Sequence, residues 1–139
     1  MANRQSKDGA NAARLYFDVS DLKRSALFYE RVLGFRVVGV YRRGLPYESW
    51  MLTRESHPGV MVVIRQSYRR PVVGSLPGGF TRLSLHEPDL AMRRAEIEKT
   101  VRVLPPSERA APGGATAEGA AAYLEFLDPD GYVLELYSE

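Results

Sequence analysis

The sequence predicts an α+β protein built from two βαβββ modules, with helices against one face of the strands and a polar cup on the other. Three observations lead there. A strand, a helix and three more strands can be read from Ala13 onward, and the same order starts again at Phe80. The strands alternate apolar and polar residues with period two, so one face suits a core and the other a ligand. The last stretch, FLDPDGYVLELYS from Phe126 to Ser138, reads as strand, tight turn, strand. Its Asp128-Pro129-Asp130-Gly131 is turn chemistry: proline presets φ, the aspartates bond local backbone, and glycine tolerates positive φ. Beyond the turn, Tyr132, Leu134 and Leu136 fall on one face and Val133, Glu135 and Tyr137 on the other. Glu135 is thus a carboxylate within an apolar strand, either on a solvated sheet face or aimed into a cavity.

Taken in order, the polar residues 1–12 read as a loose tail. The first module spans 13–67. Leu15, Phe17 and Val19 form one face of its first strand, and Arg14, Tyr16 and Asp18 the other. Ser20 stands where an N-cap belongs, with Asp21 in the first turn; Leu22, Ala26, Tyr29 and Leu33 recur at helical spacing, and Gly34 suits the C′ position. Strands are expected over 35–41, 47–53 and 60–67, separated by Arg43-Gly44-Leu45-Pro46 and by Glu55 to Gly59.

Residues 68–79, rich in Pro, Gly and Arg, read as a linker. The second module spans 80–139. Its first strand sets Thr81, Leu83 and Leu85 against Phe80, Arg82, Ser84 and His86. Pro88 suits the N1 position of a helix running to about Lys99, with a weak stripe of Leu90, Arg94 and Ile97. A short strand over 101–104 precedes residues 105–120, which hold too few large apolar side chains for a core and read as a lid or a disordered segment. Strands over 123–127 and 132–137 complete the module.

Composition narrows the function classes. At 139 residues, 45% hydrophobic and 26% charged, the chain suits one soluble globular unit with its own core. Cysteine is absent, which excludes thiol nucleophiles, thiolate metal sites and disulfides. The sequence has no apolar run long enough to span a bilayer, and the start MANRQSKDGANAA lacks a signal peptide's apolar core, so a cytoplasmic protein without membrane attachment is expected. A net charge of +2 with scattered arginine pairs is a weak case for nucleic acid.

The run LYFDVSDLKRSALFYERVLGFRVVG from Leu15 to Gly39, with FLDPDGYVLELYS at the other end, resembles the vicinal oxygen chelate proteins: glyoxalases, bleomycin-resistance proteins and ring-cleaving dioxygenases. The resemblance implies a glyoxalase-like domain in which each module supplies half of a curved sheet, with helices on the convex side, a ligand on the concave side and pairing into homodimers. It also implies where a metal would be held. Metal-dependent members use His and Glu side chains from the strands, leaving open positions for substrate oxygens. The corresponding positions here are Arg14, Val63 or Arg65, Phe80 or Arg82, and Glu135; only Glu135 matches. A guanidinium cannot ligate a cation. No cofactor is therefore expected, the alternative being a divergent divalent-metal site drawing on His86, Glu125 and Glu135. His57, before Pro58-Gly59, reads as an exposed loop histidine.

What alternation places on the polar face is an aromatic cup bearing guanidinium groups. Arg14, Tyr16, Arg65, Phe80, Arg82, His86 and Tyr137 are candidate ligand-binding residues, with Trp50 added if its strand borders the cup and Glu135 as a candidate catalytic carboxylate. Rings and arginines together suit a planar, polar or anionic organic molecule. Alternatively, Arg14, Arg82 and Glu135 pair with one another. Two functions are weighed. One is metal-free binding of such a molecule, of the sequestration or resistance type. The other is an enzyme, a lyase, isomerase or dioxygenase-like member using Glu135 or His86 as base or a divergent metal. Binding is favoured, since no nucleophile and base stand at useful spacing.

Overall fold

Strand β1, Ala13–Val19, buries Phe17 and Val19 and leaves Arg14 and Tyr16 exposed, as its period-two pattern requires. The computed structural model describes residues 13–67, 82–104 and 123–138. The tail 1–12, the linker 68–79, Phe80 and the segment 105–120 lie outside the described residues. The chain divides into two compact units, Met1–Pro71 and Val72–Glu139, and each repeats the same βαβββ plan.

In the first unit β1 is followed by helix α1, Leu22–Leu33, and strands β2, Arg36–Tyr41, β3, Ser49–Arg54, and β4, His57–Gln66. They form a mixed four-stranded sheet of order β1-β4-β3-β2 in which β1 runs parallel to β4 and the other pairs are antiparallel. The α1 stripe of Leu22, Ala26, Tyr29 and Leu33 is buried together with Ser25 and Val32. Tyr29 is the hub of this core. Its ring stacks on Phe17 at 6.3 Å between centroids and meets Phe28 and Phe35 edge-on at 5.6 and 6.0 Å. The N-cap is Asp21, not Ser20: Asp21 Oδ1 accepts from Arg24 N at 3.1 Å, while the Ser20 hydroxyl accepts from the Arg24 guanidinium. A carboxylate satisfies the electropositive helix start better than a hydroxyl. Gly34 closes the helix at φ 75°, its N–H donating to the Glu30 carbonyl at 3.0 Å.

In this unit two strand starts differ from the sequence pattern by two residues or more, each for a backbone reason. β4 begins at His57 rather than Val60, because only Glu55-Ser56 turn and the register shift between Thr53 and Arg54 absorbs Pro58 and Gly59 as a bulge. β3 begins at Ser49 rather than Tyr47, because Tyr47 sits at φ 64°, outside extended backbone. Arg42, at the other end of the same loop, also lies in the left-handed region at φ 55°. Such conformations cost side-chain-bearing residues about 1–3 kcal/mol each.

The second unit comprises β5, Arg82–His86, helix α2, Leu90–Glu98, β6, Val103–Leu104, β7, Tyr123–Leu127, and β8, Val133–Tyr137. The sheet order is β5-β8-β7-β6, with β5 parallel to β8. α2 begins after Asp89, so Pro88 precedes the helix rather than opening it. Leu90 and Ile97 are buried, and Arg94 bridges to β7 by donating to the Tyr123 carbonyl at 2.9 Å. The turn before β8 forms as its residues dictate: Asp128 Oδ1 accepts from the backbone of Asp130 and Tyr132, both at 2.9 Å, and Gly131 takes φ 91°. β8 is the inner strand between β5 and β7 and is buried from Val133 through Leu136. No helix among the described residues is long and apolar enough to cross a membrane.

Candidate functional site

Cross-strand register determines which side chains share a face. In the first unit the rows Arg14–Met61–Thr53, Tyr16–Val63–Met51–Gly39 and Asp18–Arg65–Ser49–Tyr41 face away from α1. The floor between these rows is low and apolar: Met61 of the first row and Val63 of the second are buried, and the Met51 methyl group occupies the space a side chain at Gly39 would need. Around it stand Tyr16, Tyr41 and Tyr47, respectively 57%, 51% and 52% exposed. This is a shallow floor ringed by phenols.

Arg14 supplies its charge. It is exposed, and the neighbouring phenols of Tyr16 and Tyr41, Tyr16 first, raise it beyond its ordinary arginine value. Among the described residues of its own unit no carboxylate pairs with it. Arg65 is committed differently. It holds Asp18 in a bidentate pair at 2.8 and 3.2 Å, and its Cζ lies 5.7 Å from the Tyr47 ring centroid.

Trp50 does not stand with these residues. It is in register with Ile64 and Val40, on the side where Phe17 meets Tyr29 of α1. Its Nε1 donates to Glu48 Oε2 at 2.6 Å, and Gly44 N donates to Glu48 Oε1 at 2.9 Å. These two bonds, Trp50 first, lower the Glu48 carboxyl below the ordinary glutamate value.

In the second unit the row Ser84–Glu135–Glu125 lies beside His86–Tyr137–Tyr123 on one face. Glu135 is only 4% exposed, which removes the solvated-face option, and it accepts from Ser84 Oγ at 2.7 Å. Glu125 is buried beside it. The His86 and Tyr137 rings meet edge-on at 5.5 Å. Arg82 occupies the adjoining register position, opposite Val133, but its side chain lies outside the described residues, as does Phe80. His57 opens β4 rather than lying in a loop, with Nδ1 at 2.9 Å from Ser56 Oγ.

Tyr41, Tyr47 and Glu48 were not among the residues singled out by sequence pattern. The bulge at Val38 explains the first. Val37 pairs with Leu52 and Gly39 with Met51, so Tyr41 leaves the Val37 face it would share in a regular strand. The only sequence signal is Gly39, and a strand glycine is weak evidence for a bulge. Tyr47 and Glu48 acquire their roles from loop geometry that alternation does not encode.

At the described positions where the resemblance implies metal ligands, most side chains are not of a ligating type. Arg14 is an exposed cation, Val63 is aliphatic, Arg65 is paired with Asp18, and Glu135 accepts from Ser84. Among the described residues no three His, Asp or Glu side chains converge.

A family model described as the Glyoxalase/Bleomycin resistance protein/Dioxygenase superfamily matches residues 14–136. No curated protein sequence matches the chain. Among solved structures, TnmS3, an antibiotic binding protein from Streptomyces sp. CB03234, is similar with a TM-score of 0.63 and 22% identity, covering 91% of this chain and 93% of that one. The fosfomycin resistance protein FosX from Mesorhizobium loti gives 0.61 and 18%, over 90% and 88%. The trypanothione-dependent glyoxalase I of Leishmania major gives 0.64 and 20%, over 91% and 84%. At these identities the likeness establishes the fold, and the three neighbours span binding, resistance and glyoxalase chemistry.

Proposed function

Because this chain belongs to the Glyoxalase/Bleomycin resistance protein/Dioxygenase superfamily, we propose that it binds a small, planar, polar or anionic organic molecule without the family's metal, in the manner of a sequestration or resistance protein. The observation that carries this reading is Arg14. It occupies a position where a metal-dependent relative would place a ligand, yet it presents an exposed cation between Tyr16 and Tyr41 above an apolar floor. A guanidinium beside two phenols offers directed donors to a carboxylate or phenolate, while the floor and rings accept a flat hydrocarbon body. The antibiotic-binding neighbour supports the sequestration sense.

A second reading rests on Glu135. A carboxylate buried to 4% exposure with a hydroxyl donor at 2.7 Å resembles a general base held in place, and would make the protein a lyase, isomerase or dioxygenase-like enzyme. One experiment addresses both. Protein purified without chelator is analysed for metals, titrated calorimetrically with naphthoate, and incubated with it while products are followed by mass spectrometry. Saturable binding, far less than one metal per chain and no product are expected. A stoichiometric transition metal would overturn the metal-free reading. Turnover that Glu135→Gln abolishes while affinity is kept would establish the enzyme instead.

A further inference from the structure

The loop from Arg42 to Glu48 is built more firmly than a connection between β2 and β3 requires. Its carboxylate, Glu48, is bound at both oxygens, by Gly44 N and by Trp50 Nε1. The Glu48 carbonyl accepts from Gln66 N at 2.9 Å, the Tyr47 carbonyl accepts from Ser49 Oγ at 3.0 Å, and Arg42 Nε donates to the Pro46 carbonyl at 2.8 Å. These bonds hold Tyr47 at φ 64°, a conformation that bulky residues avoid. The phenol so placed is not packed into a core. Its ring stays half-exposed beside the Arg65 guanidinium, which Asp18 fixes in turn.

Strain that is held in place by several bonds and ends in a half-exposed aromatic ring suits a recognition surface rather than core packing. We infer that Tyr47 is the stacking platform that selects the aromatic body of the ligand, and that Glu48 is its positioning residue, acting through the loop without touching the ligand. The inference rests on the binding function proposed above and extends it: Arg14 selects the anionic group and Tyr47 the ring.

The test uses the full chain, naphthoate as probe, and the variants Tyr47→Gly, Tyr47→Phe, Glu48→Gln and Tyr47→Gly/Glu48→Gln. Glycine relieves the left-handed backbone, so Tyr47→Gly is expected to fold and to lose only the ring. It should weaken naphthoate by about tenfold, the usual worth of one aromatic pair, whereas Tyr47→Phe should bind as the parent does. Glutamine cannot accept at both positions, since its amide nitrogen is a donor. Glu48→Gln should therefore weaken naphthoate by several-fold and shift the Trp50 indole N–H resonance in the ligand-free protein. The decisive outcome is non-additivity: in the Tyr47→Gly background the Glu48 substitution should cost nothing further. Additive losses would make Glu48 merely structural and overturn its positioning role. Unchanged affinity in Tyr47→Gly would overturn the platform while leaving binding intact. Failure of the parent protein to bind naphthoate would instead remove the binding function and the platform with it.

Discussion

Replacing Arg14 by alanine should abolish most of the preference for an anionic ligand and leave the fold alone. The guanidinium has five N–H donors and no acceptor, and it is exposed, so a pair of donors can meet a ligand. A carboxylate met by two of them forms a charge-assisted pair, whose loss is expected to weaken binding by about ten- to a hundredfold. The side chain is exposed, so thermal denaturation should barely change. Arg14→Lys keeps the charge but cannot fork a carboxylate, and should fall between the two. Calorimetric titration with naphthoate and with its neutral methyl ester provides the assay. Parent affinity for naphthoate should also fall with added salt, because an exposed cation is screened. An equal loss for acid and ester, or no loss for the acid, would refute an anion-selecting Arg14. Arg93→Ala, on α2 and tied to Glu87 and Glu96, serves as the inert control.

Three further outcomes are expected. Glu48 titrates below the ordinary glutamate value in the folded protein, so its contribution to stability is complete above that value and disappears as pH falls through the depressed one. Trp50 emission followed on acidification should change in that lower window, and Glu48→Gln should remove the change. Tyr29→Ala, which empties the hub between Phe17 and Phe35, should cost about 3–5 kcal/mol in urea denaturation; a loss below about 1 kcal/mol would contradict its placement at full burial. Sedimentation at micromolar concentration should give a homodimer rather than a 15.6 kDa monomer.

Much of the fold was legible because local chemistry and burial agree. Phe17 and Val19 face inward and Arg14 and Tyr16 outward as alternation requires, and Gly34 and the Asp128 turn sit where glycine and aspartate belong. The candidate site was less legible, for three physical reasons. One extra residue at Val38 moves Tyr41 to the other face, and a bulge leaves little trace in composition. Trp50 pairs by register with Ile64, so its place was decided by a ladder that no single strand reveals. Glu135 lies on an inner strand buried on both faces, where alternation cannot separate a solvated carboxylate from an enclosed one.

The parallel pairing of β1 with β4 and of β5 with β8 has a consequence for how the protein is made. In each unit the strand synthesised last is inserted between strands synthesised earlier, joining residues such as Asp18 and Arg65, 47 positions apart, or Ser84 and Glu135, 51 apart. Only the antiparallel neighbours, such as Arg54 and His57 across their short turn, can meet early. Until the fourth strand emerges, the first has no partner and its open edge is available to other chains. Slow synthesis between β1 and β4 therefore lengthens the interval in which a nascent molecule can aggregate, and an interruption just before β4 should leave a helix and three strands unable to close their sheet.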